Sequence, residues 1–490
     1  MKTKVFWQQV MILTLAAIIS MGVFIIFSSQ VYRTGYPLDD AWIHQTFARN
    51  LIKYHQLTYF EGIPSTGSTA PLWTLLLSFG YFISENNYAW TMILGFISLT
   101  TLGWLGEHLF RRISKEYSSV IPWVGILIIF EWHFIWAATS GMETLLLADI
   151  SLAVFSLLLN QRINWFLAGL LVGVGVWVRP DALLLMGPIV FAFAFKVWKK
   201  SAGFWEAGKI LLGVGIFVIP YLTFNQTVSG NYWPNTFFAK QLEYRELLAE
   251  PFVNRVWTVF QQHIVGMGIL LLPGFFYKLW DSIRKREWVL LSFVIWWFGF
   301  LFVYAMRLPV DYQHGRYQIP VMPLFLLISG SGVYMIWKQS VGRKIPRILS
   351  TAWVISIILV NTGFFWLGAQ TYANDVAIIE TEMVDTARWI NLNTSESSLI
   401  AAHDIGALGF FGEREILDLA GLVSPKVLPV IRDEQGLLAL IKQFDADYLM
   451  TFPDWYPEIT SGLVPIFISD GRFSPAAGGE NMTVYRIEQD

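Results

Sequence analysis

The feature that most constrains this chain is a succession of apolar stretches near 6–28, 88–110, 119–138, 143–160, 165–178, 182–198, 209–225, 262–280, 289–306, 318–337 and 348–368. Most approach the ~20 residues that a helix needs to cross the hydrocarbon core of a bilayer. A soluble domain cannot hide eleven such segments, and the overall balance of 55% hydrophobic and 14% charged residues agrees with a membrane solvent. The spacing predicts an α-helical polytopic membrane protein of about eleven transmembrane helices. The run from Val10 to Phe27 is expected to be an uncleaved first span, because it lacks a small-x-small cleavage site. A twelfth apolar stretch, Pro71–Ile83, begins at a proline after a polar loop and is expected to be an interfacial or re-entrant helix.

That choice fixes the sides. With the N-terminus inside, the inner segments carry Lys2 and Lys4, then Arg111, Arg112 and Lys115, Arg162, Lys196 to Lys209, Lys278 to Arg286, and Lys338 to Arg347. The outer loops before residue 370 carry about half as many cations, so the positive-inside rule holds at every inner loop. The region 1–369 is expected to be the membrane domain, with a large first outer loop over 30–87. Residues 370–490 change composition, with acids, Gly and Pro among short apolar runs, and are expected to be an extracytoplasmic α/β domain. Helices are expected over Glu380–Leu392 and Gln435–Phe444, with strands around Ile400, Ile416, Tyr448 and Val484. The glycines Gly169, Gly173 and Gly175 are read as allowing close helix packing.

With no cysteine, the chain has no disulfides, thiolate nucleophiles or Cys-ligated metals. Nucleic acid is not an expected partner. Catalysis must use carboxylates, His, hydroxyls or cations, and these collect at the predicted outer ends of spans. The clusters are Asp39-Asp40, Ser140-Gly-Met-Glu143, Arg179-Pro-Asp181, Pro234-Asn235-Thr-Phe-Phe-Ala-Lys240 and His314-Gly-Arg316. Asp39 and Asp40 open an amphipathic segment continuing through His44, Arg49 and Lys53, expected to lie in the plane of the interface. One acid suffices to cap that helix; the second is a candidate general base. The loop Gly62–Pro71 either presents hydroxyls and N–H groups to a phosphate or sugar, or is a turn. Arg179 needs an anion, for which Asp181 is the nearest partner. Lys240, His314 and Arg316 suit a ligand phosphate or, alternatively, lipid headgroups.

In sequence order these motifs, with Pro71-Leu-Trp73, His403-Asp-Ile-Gly-Ala-Leu-Gly409 and Leu417-Asp-Leu-Ala-Gly421, resemble GT-C superfamily glycosyltransferases, most closely the bacterial cell-wall arabinofuranosyltransferase-like enzymes. Asp181 stands where family members commonly have Glu, and Phe238 where they have Tyr. The resemblance implies transfer of a sugar, with inversion, from a polyprenyl-phosphate donor to a cell-envelope glycan, lipid or protein acceptor on the outer face of the plasma membrane. It implies Asp39 or Asp40 as base, with Asp39 at the family's leading position. Lys240, Arg316, His314 and Arg179 then meet the leaving phosphate, and His44, Glu143, Asp181 and Asn235 contribute to substrate binding. A divalent metal ion, held by Glu143 and a first-loop Asp, is the one cofactor it admits. A multi-pass transporter or flippase of a lipid-linked or anionic substrate is the alternative. Transporters usually carry internal repeats and midplane charges, which this sequence does not display. His403-Asp404 reads as a structural pair, and the C-terminal module as serving acceptor engagement.

Overall fold

The computed structural model describes residues 2–488, and side chains from residue 5 onward, so the charges of Lys2 and Lys4 lie outside the described side chains. The predicted apolar stretches are largely helical, although residues 262–267 form turns ahead of the Gly268–Lys285 helix. Among the described residues, seven helices are long and apolar enough to cross a bilayer: Val5–Val31, Tyr88–Ile113, Pro180–Trp198, Trp205–Ser229, Trp288–Arg307, Tyr312–Gln339 and Lys344–Asn393. Thr144–Leu158 and Trp165–Val178 are shorter. The stretch 119–138 is broken into Trp123–Ile129 and Trp132–Thr139, because Glu131 leaves helical geometry and caps the second piece by accepting from Phe134 N–H. Large apolar side chains point outward, Leu211, Ile219, Ile295 and Leu359 each being more than half exposed. That pattern suits lipid and would be costly in water. The chain is a multi-pass membrane protein.

Small residues set the closest approaches, as expected from their spacing. A Cβ on Gly169 would lie 2.3 Å from the carbonyl oxygen of Ile210, and one on Gly213 would lie 2.4 Å from that of Phe166, so the Trp165–Val178 and Trp205–Ser229 helices pack backbone to backbone. Pro71–Ser78 is a short helix that continues as a 3-10 turn to Phe82. The first loop also forms a small hairpin of β1 (Thr58–Phe60) and β2 (Ile63–Pro64).

The helix Lys344–Ile378 passes through a π turn, Ile379–Val384, into Asp385–Asn393, so one continuous rod leads from the membrane region to the C-terminal sheet. The sheet has the order β4-β3-β5-β7-β6, with β3 (Leu399–Ala402), β4 (Glu415–Asp418), β5 (Tyr448–Thr451), β6 (Val464–Ile468) and β7 (Thr483–Arg486). β3 runs parallel to β4 and β5, whereas β7 runs antiparallel to β5 and β6. Ile400, Ala402 and Ile416 pack with Ala407 and Leu408 on one face, and Ala401, Leu417 and Leu449 with Leu437 and Ile441 of the Glu434–Gln443 helix on the other. The sheet is thus covered on both sides.

The first-loop helix Asp39–Tyr54 has protein on both of its faces. Ile43 and Phe47 are buried, and so are His44, Gln45 and Asn50 on the polar side. The C-terminal domain covers it: Trp42 packs on Phe410 and Phe411, and Arg49 donates to the carbonyls of Gly409 and Phe410. The amphipathic pattern reflects two protein partners rather than protein and lipid.

Candidate active site between the membrane region and the C-terminal domain

A cavity of about 570 Å³ opens between helix ends of the membrane region and the C-terminal domain. Asp40, His44, Glu143, Arg179, Asp181, Lys240 and Arg316 line it, together with Gly67 and Thr69 of the first loop and Leu422 beyond β4. Leu183, Leu184, Trp233, Phe237, Val303 and Leu308 form an apolar wall. Groups from positions 40 to 422 therefore meet in one space.

The adjacent acids are separated by the helix on which they sit, since successive residues point about 100° apart. Asp40 faces the cavity, where its Oδ2 accepts from Arg316 Nη1 at 3.1 Å. Burial works against its charge, but Arg316 and Lys240 outweigh it and hold the carboxyl well below the usual range. Asp39 turns to the C-terminal domain, where its carboxylate accepts from the backbone N–H groups of Gly406 at 2.6 Å and Ala407 at 2.8 Å. A Cβ on Gly406 would come 2.0 Å from the carbonyl oxygen of Asp39, so only glycine permits this approach. Burial and the neighbouring Asp404 push the Asp39 carboxyl up to about 8.

Glu143 follows a turn in which Gly141 has φ +78° and its carbonyl accepts from Trp73 Nε1 at 2.8 Å. The Glu143 carboxylate lies 3.5 Å from His44 Nε2 and 3.5 Å from Arg179 Nη1. Arg179 also meets Asp181 at 3.2 Å and donates to Tyr304 Oη at 2.8 Å, while Tyr304 Oη donates to Asp181 at 2.6 Å. Asp181 is the partner the sequence suggested; Tyr304 was not visible there. The carboxylates offered to a metal are thus already compensated by cations, and among the described residues no three His, Asp or Glu side chains are placed to hold one ion. The residues present do not form a complete ligand set.

Lys240 lies on the Asn235–Glu243 helix. Burial opposes its charge, but Tyr312, Glu243 and Asp40 around it raise its pKa. Asn235 is buried in the first turn of that helix beside the lining residues Pro234 and Thr236, and does not itself line the cavity. His314 also lies off the lining. Its Nε2 is 2.7 Å from Asp375 Oδ2, which in addition accepts from Trp136 Nε1, and its ring packs against Trp132 and Trp136. Gln313, His314 and Gly315 all have positive φ, so this anchored left-handed turn presents Arg316 to the cavity. Left-handed backbone at two non-glycine residues is strained and persists only where the surroundings hold it.

Sequence reasoning missed Glu243. Its Oε2 lies 3.7 Å from Lys240 Nζ and its Oε1 3.3 Å from His403 Nε2, and His403 Nδ1 lies 3.5 Å from Asp404 Oδ1. The pair His403-Asp404 is therefore not closed on itself but joined to the membrane region.

At this geometry the chain has the GT-C fold. Over 96% of its length it superposes on 97% of ArnT from Cupriavidus metallidurans, solved bound to undecaprenyl phosphate, with a TM-score of 0.59 at 14% identity. Over 91% of its length it superposes on 70% of the apo oligosaccharyltransferase of Archaeoglobus fulgidus, with a TM-score of 0.62 at 12% identity. The same archaeal protein tethered to an acceptor peptide containing the NVT sequon gives 0.61 at 12% identity, over 91% of this chain and 69% of that one. At such identities the likeness is one of fold. Residues 371–485 match a family model described as a domain of unknown function (DUF8728), and no curated protein matches by sequence.

Proposed function

We propose that the protein is a membrane glycosyltransferase that moves a sugar from a polyprenyl-phosphate donor to an acceptor hydroxyl on the outer face of the plasma membrane. The observation that carries this reading is the placement of an ionised carboxylate, Asp40, opposite Arg316 and Lys240 in a cavity with an apolar wall. A lipid phosphate needs both halves of that cavity, cations for the phosphate and apolar surface for the chain. The fold shared with a protein solved bound to undecaprenyl phosphate supports the same donor class.

Asp40 takes the proton of the acceptor hydroxyl as its oxygen attacks the anomeric carbon. The bond from that carbon to the phosphate oxygen breaks, and polyprenyl phosphate leaves with the electron pair and one further negative charge. Arg316 and Lys240 meet that charge where it develops, which lowers the barrier more than it strengthens ground-state binding. A donor phosphate also competes for Arg316, and as their ion pair loosens Asp40 becomes a stronger base at the moment it is needed. Arg179 and Glu143 form the floor, Tyr304 and Asp181 fixing the guanidinium. Asp39 holds the C-terminal domain over the cavity, so the acidic pair divides its work between docking and chemistry.

The test is binding of undecaprenyl phosphate to the purified protein, read as thermal stabilisation. Wild type should be increasingly stabilised as lipid concentration rises, with a logarithmic dependence, and Arg316→Ala and Lys240→Ala much less. Equal stabilisation of all three would remove the cations from the donor site, and none for wild type would remove the donor class.

A further inference from the structure

At the cavity side of the C-terminal sheet lies a second constellation that donor chemistry does not use. β3 is the central strand of the parallel β4-β3-β5 set, and the chain crosses to β4 over one face and back to β5 over the other. The crevice between the carboxyl ends of β3 and β5 is thus a topological switch point, where open α/β sheets bind ligands. His403 and Asp404 leave β3 there, and Trp455 follows β5. Glu243 reaches the same place from the membrane region.

The ion pairs among these groups leave hydrogen-bonding capacity unused. Glu243 is 9% exposed and its Oε2 accepts no hydrogen bond, its nearest cation being Lys240 Nζ at 3.7 Å; Asp404 Oδ2 is buried without a hydrogen-bond partner, and His403 Nδ1 stands 3.5 Å from Asp404 Oδ1, outside hydrogen-bond geometry. Buried acceptors left unpaired cost free energy and call for a donor. The Trp455 ring packs edge-on 4.8 Å from His403 while 42% of the residue remains exposed. Carboxylate oxygens that lack a hydrogen-bond donor, beside an exposed indole, match one chemistry well, a sugar ring whose hydroxyls donate and whose C–H face rests on the aromatic ring. Both strands are interior to the sheet, so they offer no free edge to an extended peptide.

We propose that Glu243, His403, Asp404 and Trp455 form a subsite for a carbohydrate unit of the acceptor. The proposal rests on the glycosyltransferase reading and gives its acceptor a chemical class, a glycan or glycolipid head. The crevice joins the donor cavity through the Glu243–Lys240 pair, so a sugar held there extends toward Asp40.

Saturation-transfer NMR on the full-length protein in detergent tests it, with a panel of methyl hexopyranosides and pentofuranosides and, separately, an Asn-Val-Thr peptide. At least one glycoside should receive saturation from wild type. Trp455→Ala and Asp404→Asn should weaken its binding at least tenfold while stabilisation by undecaprenyl phosphate stays at the wild-type level. Lys240→Ala should lose the lipid effect and keep the glycoside. Absence of glycoside binding to wild type, equal binding by the two crevice variants, or peptide binding that those variants abolish would each overturn the proposal. Failure of undecaprenyl phosphate to stabilise wild type would instead count against the donor reading, so the two failures are separate.

Discussion

Asp40 and Arg316 lie 276 positions apart in the chain, yet their side chains meet at 3.1 Å across the cavity. The contact keeps Asp40 ionised and, in the proposed reaction, pairs the base with the same cation that the leaving phosphate would need.

Separation of the two acids gives a sharp expectation. Asp40→Asn should lower transfer by about 10²–10⁴-fold, the usual worth of a general base, in protein that still folds, and should also lower the melting temperature because the buried Arg316 guanidinium loses its carboxylate partner. Asp39→Ala strands two buried N–H donors and should destabilise by about 1–3 kcal/mol, losing activity through unfolding or undocking rather than at the chemical step. Thermal melts beside transfer assays at saturating donor separate the two.

For Arg316→Ala and Lys240→Ala, turnover should fall by about 10²–10³-fold, more than donor affinity falls, because charge on the phosphate grows toward the transition state. Equal losses in both quantities would show uniform binding instead.

Arg179 is held by Glu143, Asp181 and Tyr304, and breaking a buried pair leaves an uncompensated charge. Asp181→Ala removes one of the two carboxylates on Arg179 and should cost about 1.5–3 kcal/mol, whereas Tyr304→Phe, which removes a neutral partner, should cost less. Denaturation midpoints in detergent measure the difference.

The junction between the domains should weaken as pH rises. The Asp39 carboxyl is pushed up to about 8, and the His403 imidazole to about 10, where burial is outweighed by Asp404 and Glu243. Both groups keep a proton in the folded protein that the unfolded chain releases near 4 and 6.5. The stabilisation from Asp39 is complete below about pH 4 and lost as pH rises through 8; that from His403 is complete below about 6.5 and lost through 10. Melting temperature should fall as pH rises from 7 to 9.5, and His403→Asn should flatten the upper part of that slope.

The absence of native cysteine makes sidedness directly measurable. Cysteines at the exposed positions Ser84, Asn231 and Ser395 should react with an impermeant thiol reagent in intact spheroplasts, and those at Ser118 and Ser201 should not. The reverse pattern would invert the topology.

What the sequence made legible follows the range of the interactions. Apolar runs and strand patterns are local, so the helices and the strands at Ile400, Ile416, Tyr448 and Val484 could be read directly. The clustering of Glu143, Arg179, Lys240 and Arg316 followed from their shared position at helix ends. The division between Asp39 and Asp40 depends on which face of one helix the C-terminal domain covers, and neither residue type nor spacing carries that. His314 resembled a phosphate ligand, but Asp375, 61 positions away, occupies it. Glu243 carried no motif, and only the approach of residue 403 gives it a role.

The most direct measurement is mass spectrometry of lipid-linked sugars and envelope glycans in cells whose only copy of the gene carries Asp40→Asn, compared with wild type at matched protein levels. The account predicts accumulation of one polyprenyl-phosphate sugar together with loss of one sugar substituent from an envelope glycan. Wild-type levels of both pools in the Asp40→Asn cells would contradict it.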